Sequence, residues 1–276
     1  MDEMATLETT GGKAVLRFKR RLAHPPEKVF RALSEPGELA HWFPARVRWE
    51  LRPGAPIEFS FEDAGMEAPR GELIEVDPPR LLVYSWGDDV LRWEVVPEGD
   101  GSTLRFTHTI AGERDWPARL AAARNAAGWD VCLAALEARL SGEPAKDGDW
   151  LARNAAYVER FGLGAGERLD GGRVVRFQRD LVQPPSRVWE LLTGGDLTCA
   201  AFPAGAETER EPERLLQYEW LRDGVVAGRV RVELRELRWG TGLVVEQTLP
   251  PELAARALDE WRPRLDELVA ELHGAR

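Results

Sequence analysis

Cysteine is nearly absent from these 276 residues, with only Cys132 and Cys199 present. Two distant thiols, with no CxxC and no histidine at ligand spacing, exclude a disulfide framework and predict no metal site. A reduced, cytoplasmic setting is the expectation. Long apolar runs are missing as well, and none approaches the ~20 residues a membrane-spanning helix needs. Met1 to Lys13 is acidic and polar, so no secretory leader is expected. Basic charge is short too: 37 Lys and Arg stand against 47 Asp and Glu, a net charge of −10. Nucleic acid is therefore excluded as a partner, because neutralising phosphates needs a basic patch. There is no GxSxG elbow, HExxH pair or P-loop. Gly162-x-Gly164-x-Gly166 follows a helical pattern and precedes a strand, the reverse of a phosphate-binding context, so no cofactor is expected. Tyrosine is scarce at 3 residues, whereas tryptophan reaches 11, enough for a packed core or a ligand cavity. The excess of Arg over Lys fits a GC-rich bacterial genome.

What is present is an internal repeat. Phe18, Pro25-Pro26, Val29 and Phe43-Pro44-Ala45 recur as Phe177, Pro184-Pro185, Val188 and Phe202-Pro203-Ala204, at a constant offset of 159. Arg80-Leu81-Leu82-x-Tyr84-x-Trp86 recurs as Arg214-Leu215-Leu216-x-Tyr218-x-Trp220, where the offset has fallen to 134. Trp129 and its helical followers align with Trp261. The second copy thus lacks the residues matching Arg46 to about Leu73. The spacing predicts a complete domain over 1–163, a glycine-rich linker over 164–172 and a truncated domain over 173–276.

In the first copy, residues 14–22 alternate as a strand until His24-Pro25-Pro26 breaks it. A short helix follows, with Val29, Phe30 and Leu33 on one face. Six segments of period two come next, each ended by Gly or Pro: 47–51, 57–61, 72–76, 82–86, 91–95 and 104–110. Asp115 then opens a helical stretch in which Trp129, Leu133, Leu136 and Leu140 form one stripe. A second helix over 149–161 is expected to bury Trp150, Ala155 or Ala156, and Val158. Such a meander must bury its apolar face under the long helix.

Several segments carry a family resemblance: HPPEKVFRALSEPGELAHWFP (24–44), PPRLLVYSW (78–86), TLRFTHT (103–109), GWDVCLAALEARLSGEP (128–144) and the later Trp150 with ERFG at 159–162. Together they resemble the bacterial branch of the Hsp90 ATPase activator homologue family, within the START-like (SRPBCC) superfamily. The resemblance is close over 14–162 and looser over 173–273. It implies an α+β helix-grip fold, a curved antiparallel sheet wrapped on a long C-terminal helix, here in two copies. It also implies a cavity between sheet and helix, with His41-Trp42-Phe43 at its mouth and the segments at 47–51 and 59–61 as an outer hairpin.

The expected function is binding of a hydrophobic or aromatic small molecule in the first domain, without catalysis. Its expected lining is Trp42, Phe43, Trp49, Phe59, Phe61, Trp86, Trp93, His108 and Trp129. Each of these could equally be core, and His108 a satisfied core histidine. Two other readings are an aromatase/cyclase-like enzyme using His108, and a co-chaperone or adaptor acting through its surface. The strand faces supply His108 as the one inward polar candidate, which counts against the enzyme. Cys132 reads as an inert buried thiol, and Glu62-Asp63 with Glu67 as a solvated turn. The second copy, with Gln247 for His108 and Ala200-Ala201 for His41-Trp42, is expected to be a packing partner in an intramolecular pseudo-dimer.

Overall fold

A computed structural model describes residues 4–61, 69–113, 116–145, 148–194 and 202–274. Cys199, Ala200-Ala201, Glu62-Asp63, Glu67 and Asp115 lie outside the described residues. The chain divides into two compact units, Met1–Tyr157 and Val158–Arg276.

The first unit is built on eight strands: β1 (Thr6–Thr10), β2 (Lys13–Leu22), β3 (Arg46–Trp49), β4 (Pro56–Ser60), β5 (Arg70–Asp77), β6 (Leu81–Trp86), β7 (Asp89–Glu98) and β8 (Gly101–Ile110). They form one antiparallel sheet in the order β1-β2-β8-β7-β6-β5-β4-β3. Between β2 and β3 lie α1 (Pro26–Ser34) and α2 (Pro36–Leu39), and after β8 come α3 (Ala122–Ser141) and α4 (Trp150–Arg160). The alternation behaves as a half-buried sheet requires: Ala14, Leu16, Phe18, Arg20 and Leu22 of β2 are buried, and Val15, Arg17, Lys19 and Arg21 are not. Pro26 starts α1, where its missing N–H costs nothing. Gly142 ends α3 at φ 71°, a left-handed cap whose N–H reaches the Ala138 and Arg139 carbonyls. The α3 stripe of Trp129, Leu133, Leu136 and Leu140 is buried.

Three local expectations change. Thr6–Thr10 is a strand, paired with β2 from Thr6↔Arg17 to Thr10↔Lys13, although its side chains are almost all exposed. Leu51 lies beyond β3 and is exposed. The buried face of α4 is Asn154 and Tyr157, not Ala155 or Ala156.

The second unit holds β9 (Glu167–Leu169), β10 (Val174–Leu181), α5 (Pro185–Gly194), β11 (Ala204–Glu211), β12 (Leu215–Arg222), β13 (Val225–Leu237), β14 (Gly240–Thr248) and α6 (Ala254–Gly274). Its sheet order is β11-β12-β13-β14-β10-β9, the order of the first sheet without β3 and β4. These two strands form an edge hairpin, so a sheet lacking them loses a single ladder to its body, β4 with β5. β9 pairs with β10 inside the stretch read as a linker. Both halves are antiparallel sheets followed by a long C-terminal helix, the α+β helix-grip architecture expected.

Candidate functional site

The inward faces of β6, β7 and β8 carry Tyr84 and Trp86, Leu91 and Trp93, and Phe106 and His108. α3 lays Trp129 across them. Trp93 and Phe106, neighbours in register, stack at 3.7 Å between ring centroids. Trp129 meets both edge-on, at 5.6 and 4.7 Å. Each such pair adds about 0.5–1.5 kcal/mol beyond area burial. This inner part of the expected lining is packed ring on ring.

Trp42 and Phe43 arrive from the turn after α2. Trp42 donates its indole N–H to the Ala32 carbonyl at 2.9 Å and meets Trp93 edge-on at 5.6 Å, so it anchors the turn to α1. His41 beside it is exposed. Phe43 is the hub, with centroids 5.3 Å from Trp86, 5.9 Å from Trp129 and 6.3 Å from Phe59. Phe59 lies 4.5 Å from Trp86, and Phe61 lies 6.1 Å from it. Trp49 donates to the Ser34 carbonyl and meets Tyr84 at 5.3 Å. With Tyr84, which links Trp49 to Phe43, the nine candidates form one continuous aromatic group. Trp42, Phe43, Phe59, Trp93, His108 and Trp129 are buried, while Trp49, Phe61 and Trp86 are half-buried along one end.

His108 has a partner at each ring nitrogen. Trp129 Nε1, which can only donate, lies 2.9 Å from Nδ1, and Asp89 Oδ2 lies 2.9 Å from Nε2. The indole thereby fixes the Nε2–H tautomer, and the imidazole donates to the carboxylate. The other Asp89 oxygen accepts the Ala111 N–H at 2.8 Å. The result is a closed Trp129–His108–Asp89 relay.

The expectation of a single inward polar group is corrected. Arg20, on the inner face of β2, is 5% exposed and donates to Asp130 on α3 at 2.6 Å. Asp130 also accepts from the Tyr157 hydroxyl at 2.8 Å and from Arg153 at 3.3 Å, and the Tyr157 oxygen accepts the Ala5 N–H. A charge this deep persists only because every partner is in place. The network joins the start of the chain, β2, α3 and α4. Arg20 shares parity with Leu16 and Phe18, the signal that could have found it. Burial pushes the Cys132 thiol up to about 12, so it stays protonated. It likewise raises the Tyr84 phenol well above its ordinary value.

In the second unit Gln247 holds the position of His108, paired in register with Val175 and Val230 as His108 is with Leu16 and Leu91. Trp261 Nε1 donates to Gln247 Oε1 at 2.6 Å, as Trp129 does to His108. Nothing stands for Asp89. Its counterpart is Gly228, opposite Trp220 as Asp89 is opposite Trp86. A Cβ at Gly228 would come within 2.1 Å of the Thr248 oxygen and 2.4 Å of Trp220 Nε1. The buried Gln247 Nε2 is left without a hydrogen-bond partner among the described residues. Trp220 itself is 1% exposed and tied to the Thr248 carbonyl at 2.7 Å.

No group of His, Cys, Asp and Glu among the described residues is placed to hold a metal ion, and no described helix is long and apolar enough to cross a membrane. No curated protein matches the chain. Among solved structures, a conserved protein of unknown function from Enterococcus faecalis is 17% identical, with a TM-score of 0.48 over 57% of this chain and 90% of that one. CalU16 from Micromonospora echinospora is 18% identical, with a TM-score of 0.43 over 57% of this chain and 93% of its own. DynU16, from the dynemicin biosynthetic locus, is 16% identical, with a TM-score of 0.43 over 95% of this chain and 99% of its own. The family model described as Activator of Hsp90 ATPase homolog 1-like protein matches residues 23–141, which lie inside the first unit. The first unit therefore resembles the Activator of Hsp90 ATPase homolog 1-like family over residues 23–141, and its architecture is the helix-grip fold.

Proposed function

We propose that the first unit binds a planar, mainly apolar small molecule at the half-buried end of its aromatic group, and does so without catalysing a reaction. The carrying observation is the contrast at the Trp86 position. Trp86 is half-buried and continuous with Phe43, Phe59 and Phe61, whereas its counterpart Trp220 is closed in and hydrogen-bonded. Sites for small molecules are mostly apolar and aromatic, with few polar groups to orient the ligand. An acid–base role for His108 is disfavoured, since each ring nitrogen is already engaged. The reading takes the protein as bacterial and cytoplasmic, and the two units as copies of one ancestral domain. Among the described residues the counterpart of Trp86 is closed in, so binding is assigned to the first unit.

Native mass spectrometry of the full chain purified from its own host tests the reading, with fluorene offered as a surrogate ligand. A retained small molecule, or saturable fluorene binding, that weakens about tenfold or more in Trp86→Ala supports it. Absence of both, or binding that Trp86→Ala leaves unchanged, overturns it.

A further inference from the structure

β5 and β11 correspond residue for residue, Arg70–Asp77 onto Ala204–Glu211. Each pairs with the next strand in the same way, Asp77↔Leu81 in one sheet and Glu211↔Leu215 in the other. Their other sides differ. In the first unit β4 and the residues leading into it cover β5. The Leu73 N–H donates to the Ala55 carbonyl at 2.9 Å, and the Leu73 carbonyl accepts from the Gly54 N–H at 2.7 Å. Glu207 is the counterpart of Leu73, opposite Tyr218 as Leu73 is opposite Tyr84. Among the described residues no strand lies on that side of β11, so the backbone of Glu207 is turned to an open edge. Open edges of this kind take up a further strand. The first sheet has its own open edge at β3.

The two edges are complementary in charge. β11 carries Glu207, Glu209 and Glu211 against Arg210, whereas β3 carries Arg46 and Arg48 and no acid. Two charged stretches of β11 would set glutamates against glutamates, and two β3 strands arginines against arginines, which like charges penalise. Acidic residues therefore guard this edge against its own kind and leave it open to a basic strand. Of the five large apolar side chains exposed among the described residues, three flank these edges. Leu51 lies just past β3, and Val225 and Val226 begin β13. Val226 is opposite Leu221, whose N–H reaches the Pro203 carbonyl at the start of β11.

We propose that the β11 edge is an interaction surface for a second copy of this chain, whose β3 pairs with it antiparallel in place of the missing hairpin. Arg48 of one copy then stands opposite Glu209 of the other, and Arg46 opposite Glu211. The faces agree. Val47, between the two arginines, is buried, so the arginines point outward. Glu209 and Glu211 are opposite Gln217 and Leu215, which alternate with the core residues Leu216 and Tyr218. Antiparallel pairing also sends Leu51 toward the uncharged start of β11, Ala204-Gly205-Ala206. The present partners of these charges are loose: Arg48 with Glu58 and Glu209 with Arg231 both stand at 3.6 Å and open to solvent, so exchanging them costs little. The contact is head-to-tail, β3 of one copy on β11 of another. A ladder this short makes a small interface and a weak association.

Sedimentation equilibrium of the full chain from about 10 to 500 µM, a range suited to a weak contact, is the test. Wild type should self-associate, and less so as salt is raised to about 0.5 M. Arg48→Glu should weaken association about tenfold or more, and adding Glu209→Arg to it should restore most of the loss. Both positions are exposed, so each variant should keep the wild-type thermal midpoint within about 2 °C. A monomer mass at every concentration overturns the proposal. So does association that Arg48→Glu leaves unchanged, or a loss that the double charge swap fails to restore.

Discussion

The two units carry the same polar frame in different states of completion. In the first, Trp129, His108 and Asp89 close a relay in which each donor meets an acceptor. In the second, Trp261 and Gln247 repeat two members, and the third is a glycine, leaving the Gln247 Nε2 without a partner. The buried cations diverge in the same sense. Arg20 and Asp130 are both 5% exposed and bonded further to Tyr157 and Arg153, whereas Arg179 is 6% exposed and its partner Asp266 is 52% exposed. The aromatic filling has thinned as well. Trp93 and Phe106 stand where the second unit has Val232 and Val245, as the strand registers require. A helix-grip frame therefore tolerates loss of an edge hairpin and of one member of a neutral polar chain, even where the group left behind, Gln247 Nε2, is buried. What it cannot lose cheaply is a partner of a charge that water does not reach.

Removing the two aspartates sharpens this most. Asp130→Ala leaves Arg20 with Glu137 at 3.4 Å and the Lys19 carbonyl but without its closest carboxylate, and removes an acceptor from Tyr157, so it should destabilise the protein by about 3 kcal/mol. Asp266→Ala should cost less, about 1–2 kcal/mol, because half of that carboxylate is already in water although Arg179 itself is 6% exposed. Arg179 also keeps the Gly164 and Gln178 carbonyls. Urea denaturation gives the totals, and native-state hydrogen exchange of β2 and β10 amides assigns each loss to its unit. Equal costs would remove the distinction between the two networks.

The relay offers a smaller effect. Asp89→Gly copies the second unit into the first and orphans the His108 Nε2–H and the Ala111 N–H, at about 1–2 kcal/mol given that Asp89 is 24% exposed. His108→Gln should cost less than about 1 kcal/mol, since a carboxamide can accept from Trp129 and donate to Asp89. The order of the two losses, read from denaturation midpoints, is the discriminating result. If His108→Gln is the more damaging, the imidazole matters for a reason other than closing the relay.

Part of this was open to reading in the residues, and the rest was not. Alternation exposed the inward positions of β8, and the i, i+4, i+7, i+11 stripe placed Trp129 over them. The fall in offset from 159 to 134 located the missing edge hairpin before any strand was seen. β1 escaped because Thr6–Thr10 has a single apolar residue and almost no buried side chain, so it has no periodic signal. Asp89 escaped because it follows Gly87-Asp88, which reads as a solvated turn. Its partner 19 residues on is chosen by the register Val90↔Thr109, which no local pattern encodes. Arg20 had the parity of a core residue and the chemistry of a surface one. Asp130, 110 residues away on α3, and Glu137 on the same helix reconcile the two. Periodicity tells which way a side chain faces, but the identity of what it meets is a property of long-range pairing.

Acid provides the smallest test, and a comparison within it. Glu38 on α2 is held below the usual carboxylate range chiefly by its hydrogen bonds with Arg139, at the end of α3. Glu207 on β11 is lowered in the same way by Arg210, three residues along its own strand. A carboxylate whose value is depressed by folding contributes stability that is full above its ordinary value and is lost as pH falls through the lowered one. That argument requires the partner to be absent in the unfolded chain. For Glu38 it is, since Arg139 lies 101 residues away. For Glu207 it is not, because Arg210 stays close in any conformation. Glu38→Gln should therefore lower the thermal midpoint slightly at neutral pH, with the difference from wild type shrinking once pH falls below the ordinary carboxylate value and vanishing as it passes through the lowered one. Glu207→Gln should track wild type across the same range. Parallel curves for Glu38→Gln and wild type down to acid would show that the α2–α3 pair adds nothing to the first unit.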